Sequence, residues 1–295
     1  MLTQAELILD ARNATGESPV WSVREQALYW VDIPNRHLYR WNPSDASTQR
    51  WEAEEMLACI AQRGDGSWIA GMQSGLFELR ASNDGKLQGQ RLAAVEHARE
   101  SMRFNDGRCD RQGRFWAGSM LMDMAQGAPV GKLYRYDGGA QLHLQLDDII
   151  VPNGLGFSPD GRTMYLSDSH PSVQAVWAFD YDIESGTPHN RRLFIDMNQY
   201  PGRPDGAAVD ADGCYWICGN DAGQIHRFTP DGRLDRSLSV PVKKPAMCAF
   251  GGANLDTLFV TSIRPGGDLS DQPLAGGVFA LQPGVKGLPE PTFSN

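Results

Sequence analysis

Apolar and polar residues along this chain alternate in short bursts rather than recurring every three or four positions. Six segments share one form: a turn rich in Gly, Asp or Asn, then a short apolar run with a large aromatic. They are REQALYWVD (24–32), RGDGSWIAG (63–71), RQGRFWAGS (111–119), PDGRTMYLSD (159–168), ADGCYWICG (211–219) and NLDTLFVTS (254–262). Their aligned aromatics are Trp30, Trp68, Trp116, Tyr165, Trp216 and Phe259, separated by 38, 48, 49, 51 and 43 residues, a mean of about 46. Each segment is followed by a second run, at 37–43, 75–82, 132–139, 175–182, 224–232 and 277–284, that alternates with the two-residue period of a half-buried strand. No long amphipathic helix interrupts them. Several short strands per unit at this period predict an all-β fold, a six-bladed β-propeller with a central channel, as one domain over residues 1–295. A blade cannot bury both faces alone, so the ring must close on itself. The run AELILDA (5–11) precedes the first repeat and is expected to add the outer strand to the last blade.

The innermost strand of each blade lines the channel, and its candidate lies about a dozen residues before each aromatic. Here the repeats stop resembling one another: GESPVW (16–21), RFNDGRCD (103–110), VPNGLGFSPDG (151–161) and RPDGAAVDADG (203–213). Glu17, Asn105, Asn153 and Asp205 precede their aromatics by 13, 11, 12 and 11 residues, so they hold equivalent places in four blades. Two carboxylates and two amides around one axis make a hard-oxygen site suited to a divalent cation, with no His or Cys to form a closed zinc site. The plain alternative is that Asn-Asp-Gly, Pro-Asn-Gly and Pro-Asp-Gly are ordinary turns.

Composition narrows the classes. Hydrophobic residues make up 41% of 295, enough for a sizeable core, which excludes a disordered chain. The net charge of −9, with no basic stripe, excludes nucleic acid and anionic membrane as partners. No apolar run reaches the length of a membrane span, and MLTQAELILDAR does not read as a secretory leader. The five cysteines, Cys59, Cys109, Cys214, Cys218 and Cys248, form no tight framework, so free thiols and a cytoplasmic location are expected. Cys214 and Cys218 flank Trp216 in an apolar run and read as small core residues rather than metal ligands. No signal for oligomerisation is visible, and a monomer is expected.

At GESPVW, RFNDG, Pro152-Asn153-Gly154-Leu155 and Pro204-Asp205-Gly206, the last followed by Asp212, Gly213 and Trp216, the sequence resembles the regucalcin/gluconolactonase (senescence marker protein) family. A weaker match is Phe250-Gly251-Gly252 with PLAGGVF (273–279). The likeness runs end to end. It implies a six-bladed propeller, in agreement with the repeat count, and a metal-dependent lactonase acting on aldonolactones. Carried over residue by residue, it implies metal ligands at Glu17, Asn153 and Asp205, and substrate contacts from Arg103 and Asn105. One divalent cation is implied, with Ca²⁺, Mg²⁺, Mn²⁺, Fe²⁺ and Zn²⁺ all open. Asp205 is the candidate to deprotonate the attacking water, directly or from the metal shell. Some members place a sugar-contacting glutamate shortly after an Ala-Gly-(Ser/Thr)-Met segment. Here Ala117–Asp123 reads AGSMLMD, with Leu121 or Met122 near that place and Asp123 adjacent, so sugar recognition is expected to differ. Asp168 and His170 (SDSHPS) are read as the end of a strand, and His37, His143 and His226 as structural. A phosphotriesterase or arylesterase, and a non-enzymatic calcium-binding propeller, are the competing readings.

Overall fold

The two-residue alternation of each repeat resolves into a four-stranded antiparallel sheet, and six such sheets follow one another around an axis. This is seen in a computed structural model that describes residues 4–294. The innermost strands are Gly16–Ser22, Leu57–Gln62, Met102–Cys109, Pro152–Phe157, Arg203–Val209 and Pro245–Gly251, in blades one to six. Each packs against the next, and the last against the first, so the ring is closed. Closure is fastened as the sequence predicted. Glu6–Leu9 pairs antiparallel with Val278–Leu281 and becomes the outer strand of blade six. That pairing satisfies an edge that would otherwise present free backbone groups.

The aligned aromatics all lie on the second strand of their blades. Trp30, Trp116 and Trp216 are fully buried, so each indole N–H needs an acceptor. Asp210 shows how the repeat supplies one. Its Oδ2 accepts from Trp216 Nε1 at 2.8 Å and Arg227 Nε at 2.8 Å, while Oδ1 accepts the turn N–H groups of Asp212 and Cys214. Asp110 does the same for Trp116 and the turn at Gln112 and Arg114. One buried carboxylate thus ties the turn to the second strand.

The C-terminal segment crosses the channel floor, where inner strands turn into second strands. Ala211 N donates to Lys286 O, Gly287 N to Leu255 O, Phe293 N to Gln62 O and Ser294 N to Gly113 O. Glu290 lies 3.5 Å from Arg108, and the Phe293 ring stacks on Tyr136. The remaining cavity there is about 10 Å³, room for one water at most. Among the described residues the helical segments are two short 3-10 turns, Met124–Gln126 and Met197–Gln199, and no helix is long and apolar enough to cross a membrane.

Candidate active site

Glu17, Asn105, Asn153 and Asp205 all lie near the start of an inner strand, at the end of the channel opposite the C-terminal segment. Each sits at a break in strand register: Glu17/Val20, Phe104/Gly107, Asn153/Gly156 and Pro204/Ala207. Such bulges re-aim side chains. The Asn-Gly and Asp-Gly pairs are therefore strand bulges here rather than turns, and the plain alternative fails. Two of their glycines are required. Gly154 has φ 56°, and a Cβ there would lie 2.5 Å from the Tyr215 hydroxyl. A Cβ on Gly206 would collide with Met247, side chain and backbone alike. In blades two and six the corresponding breaks hold Ala58 and the pair Ala246–Met247, so polar groups enter from four blades only.

The carboxylate of Asp205 is held at both oxygens. Asn153 Nδ2 donates to Oδ1 at 2.7 Å, and Asn220 Nδ2 donates to Oδ2. Glu17 accepts the Ser18 N–H at 3.1 Å. Arg103 Nη1 donates to Asn105 Oδ1 at 2.8 Å and to Phe104 O at 2.7 Å, and Asn105 Nδ2 donates to Pro152 O at 3.1 Å. Deeper in the channel, Asp106 Oδ2 accepts from Leu155 N at 2.8 Å, while its Oδ1 is buried without a partner.

Glu17, Asn153 and Asp205 are all buried. Burial pushes the Glu17 carboxyl well above its usual range, and the charges of Asp205 and Asp106 push it further. Burial likewise raises Asp205, against the pull of Arg203 and the amide of Asn220. It also lowers Arg103, to about 10. Two like charges placed together out of water are unfavourable unless a cation lies between them. Among the described residues no group of three or more His, Cys, Asp or Glu side chains converges as a ligand set. A cation here would therefore rely on two carboxylates and amide oxygen, a donor set that fits a hard divalent ion and not a structural zinc.

Two residues at this site escaped the sequence reading. Asp106 lies inside the RFNDG run without an assigned role. Asn220 ends the second strand of blade five, at the place where Asp32 and Asp168 end theirs. Setting VD, SD and GN side by side would have marked it. Asp123 is spent elsewhere. It caps the turn at Met124–Gln126, accepting from Ala125 N at 3.2 Å and Gln126 Nε2 at 3.0 Å, while Leu121 is buried. Asp168 closes its strand by accepting from Ile150 N and Val151 N, as expected. His37 and His226 lie in third strands and His143 in an outermost strand. The five thiols are free and buried.

The sequence profile described as the SMP-30/gluconolactonase/LRE-like region matches residues 15–264. The chain is 42% identical over 282 residues to the 6-deoxy-6-sulfogluconolactonase of Pseudomonas putida, covering 95% of this chain and 94% of that protein. It is 33% identical over 297 residues to regucalcin of Oryctolagus cuniculus, covering 98% of each. Among solved structures, a calcium-binding protein, regucalcin, from Agrobacterium tumefaciens superposes with TM-score 0.91 at 27% identity, covering 100% of this chain and 98% of that one.

Proposed function

The chain belongs to the SMP-30/gluconolactonase/LRE-like family, and from that premise we propose that it is an enzyme that hydrolyses a sugar lactone to the aldonic acid, with one divalent cation, in sugar catabolism. The observation that carries this reading is the placement of Glu17, Asn153 and Asp205 on bulges of three separate inner strands, with Arg103 and Asn105 on a fourth. Glu17, Asn153 and Asp205 would hold the cation, which when bound supplies a Lewis acid for the lactone carbonyl.

The chain's own residues do the rest. Asp205 takes the proton of the attacking water, its carboxylate oriented by the amides of Asn153 and Asn220; the water oxygen bonds to the carbonyl carbon, the ring C–O bond breaks, and the proton passes on to the ring oxygen, which leaves as a hydroxyl. Arg103 and Asn105, joined by a 2.8 Å hydrogen bond, offer donors and an acceptor to the hydroxyls of a polyol. Closure of the channel floor by the C-terminal segment leaves the mouth above these residues as the way in. Polar groups at this depth favour a polyhydroxylated substrate over the apolar esters expected of an arylesterase.

The test is acid release from a panel of pentono- and hexonolactones by metal-stripped protein, with Ca²⁺, Mg²⁺, Mn²⁺, Fe²⁺ or Zn²⁺ restored singly. Turnover with a restored ion is the expected result. Silence across the panel, with calorimetry showing an ion bound, would instead favour a calcium-binding propeller without this activity.

A further inference from the structure

The chain carries a net charge of −9, yet the channel mouth on blades five and six runs the other way. Arg203 opens the inner strand Arg203–Val209, two residues before Asp205. Its Nε donates to Asp221 Oδ2 at 2.7 Å and its Nη1 to Ser169 O at 3.2 Å, while Nη2 reaches Asn220 Oδ1 only at 3.5 Å. Lys244, immediately before the inner strand Pro245–Gly251, pairs with the same Asp221. At the rim two cations share the one carboxylate of Asp221, while Arg203 also faces Asp205 below it. Both cationic side chains stay partly open to solvent, at 20% and 26%.

The spacing also has a chemical meaning. Asn220 stands between the two groups, its amide N–H on Asp205 Oδ2 and its Oδ1 3.5 Å from Arg203 Nη2, so the Arg203 guanidinium lies one side chain away from the proposed reacting centre, where the far end of a six-carbon aldonolactone would reach. A neutral polyol needs no charge there. We propose that Arg203 and Lys244 form a subsite for an anionic group, a sulfonate or a phosphate, carried at the end of the lactone remote from its carbonyl. The subsite deepens the lactonase reading and rests on it. Guanidinium and ammonium groups at one mouth suit a tetrahedral oxyanion, the first by paired N–H donors and the second as a point charge.

The test compares kcat/KM for gluconolactone, its 6-deoxy-6-sulfonate and its 6-phosphate at low and high salt. The charged lactones should be favoured by about tenfold at low salt, with the preference shrinking as ionic strength rises. The larger of the two charged arms names the ligand. Arg203→Gln and Lys244→Gln should each lower the charged-to-neutral ratio. Asp221→Asn, which removes the competing carboxylate, should raise it, a direction that a damaged fold would not produce. A wild-type ratio of one or below, or a ratio that none of the three variants moves, overturns the subsite while leaving lactone hydrolysis standing. If no lactone is turned over, the lactonase reading fails instead. The subsite is then judged by calorimetric binding of 6-deoxy-6-sulfogluconate and 6-phosphogluconate against gluconate, where equal affinities overturn it.

Discussion

Asn220 donates its side-chain N–H to Asp205 Oδ2 from a repeat position where two other blades carry an aspartate with a different task. Asp32 uses that position to accept Ala14 N and Thr15 N, and Asp168 to accept Ile150 N and Val151 N, each securing the entry to an inner strand. Blade five has instead turned the position inward, toward the proposed base. Asn220→Ala is expected to lower kcat by about 10–100-fold, the usual cost of losing an orienting partner. Asp32→Ala is the matched control. It strands backbone N–H groups at a cost of about 1–3 kcal/mol, with kcat per folded molecule retained. Measuring kcat and urea denaturation for both variants separates the roles. Equal kcat losses that simply follow stability would make Asn220 a scaffold residue.

The ring and its fastening strand were legible because burial on one face imposes the two-residue period and the turns recur every 46 residues or so. The equivalence of Glu17, Asn105, Asn153 and Asp205 was legible for the same reason: residues at one repeat position reach one depth of the channel. The register breaks that aim them were not, since a bulge is decided by pairing between strands and has no fixed sequence mark. Asn220 was hidden because its task depends on Asp205, fifteen residues earlier in the chain but adjacent in the sheet. The C-terminal crossing of the floor was hidden too. Glu290 meets Arg108 across 182 residues, and nothing local in either segment announces the other.

On the proposed chemistry, Asp205→Asn keeps the size of the side chain and removes the proton acceptor. Turnover should fall by about 10²–10⁴-fold. Near-native thermal unfolding would show that the fold survives. Stopped assays of acid release, with the variant's folding checked by circular dichroism, decide the matter; full activity in the variant rejects Asp205 as base.

A cation between Glu17 and Asp205 would relieve the repulsion that burial imposes on them. Adding the preferred ion at 100 times its Kd should raise stability by about 2.7 kcal/mol. Chelator should reverse the gain. Glu17→Gln, which removes one of the two charges, should shrink the difference between loaded and stripped protein. Calorimetric scans with and without chelator read all of these, and an identical ion response in wild type and variant would remove Glu17 from the proposed ligands.

Asp210 is fully buried and holds Trp216, Arg227 and the turn at Asp212–Cys214 together. Asp210→Ala leaves the largely buried Arg227 guanidinium without its inner partner, although Asp212 and Asp235 still reach it from outside. The expected loss is about 3–5 kcal/mol, the cost of breaking a buried pair from one side. Urea midpoints at constant slope would record it. A loss below 1 kcal/mol would mean that the outer carboxylates carry the pair.

Acid should weaken the fold through His226. Its ring is fully buried in the third strand of blade five, with Nε2 2.9 Å from Pro201 O and Nδ1 2.7 Å from Ser237 Oγ. Nε2 can only donate to the carbonyl, so Nδ1 accepts the hydroxyl proton and the neutral ring satisfies both bonds. Burial holds the imidazole below its ordinary range, against the pull of the Pro201 carbonyl. In the unfolded chain the same ring titrates near about 6.5. Above that pH both states are neutral and the group contributes its full stability. As pH falls below it, the unfolded chain takes up a proton first, and stability is lost by up to about 1.4 kcal/mol per pH unit until the lower folded value is passed. Urea denaturation at pH 7.5 and 5.5 should therefore show a fall in stability that His226→Gln reduces. An equal fall in the variant would assign the acid sensitivity to other groups.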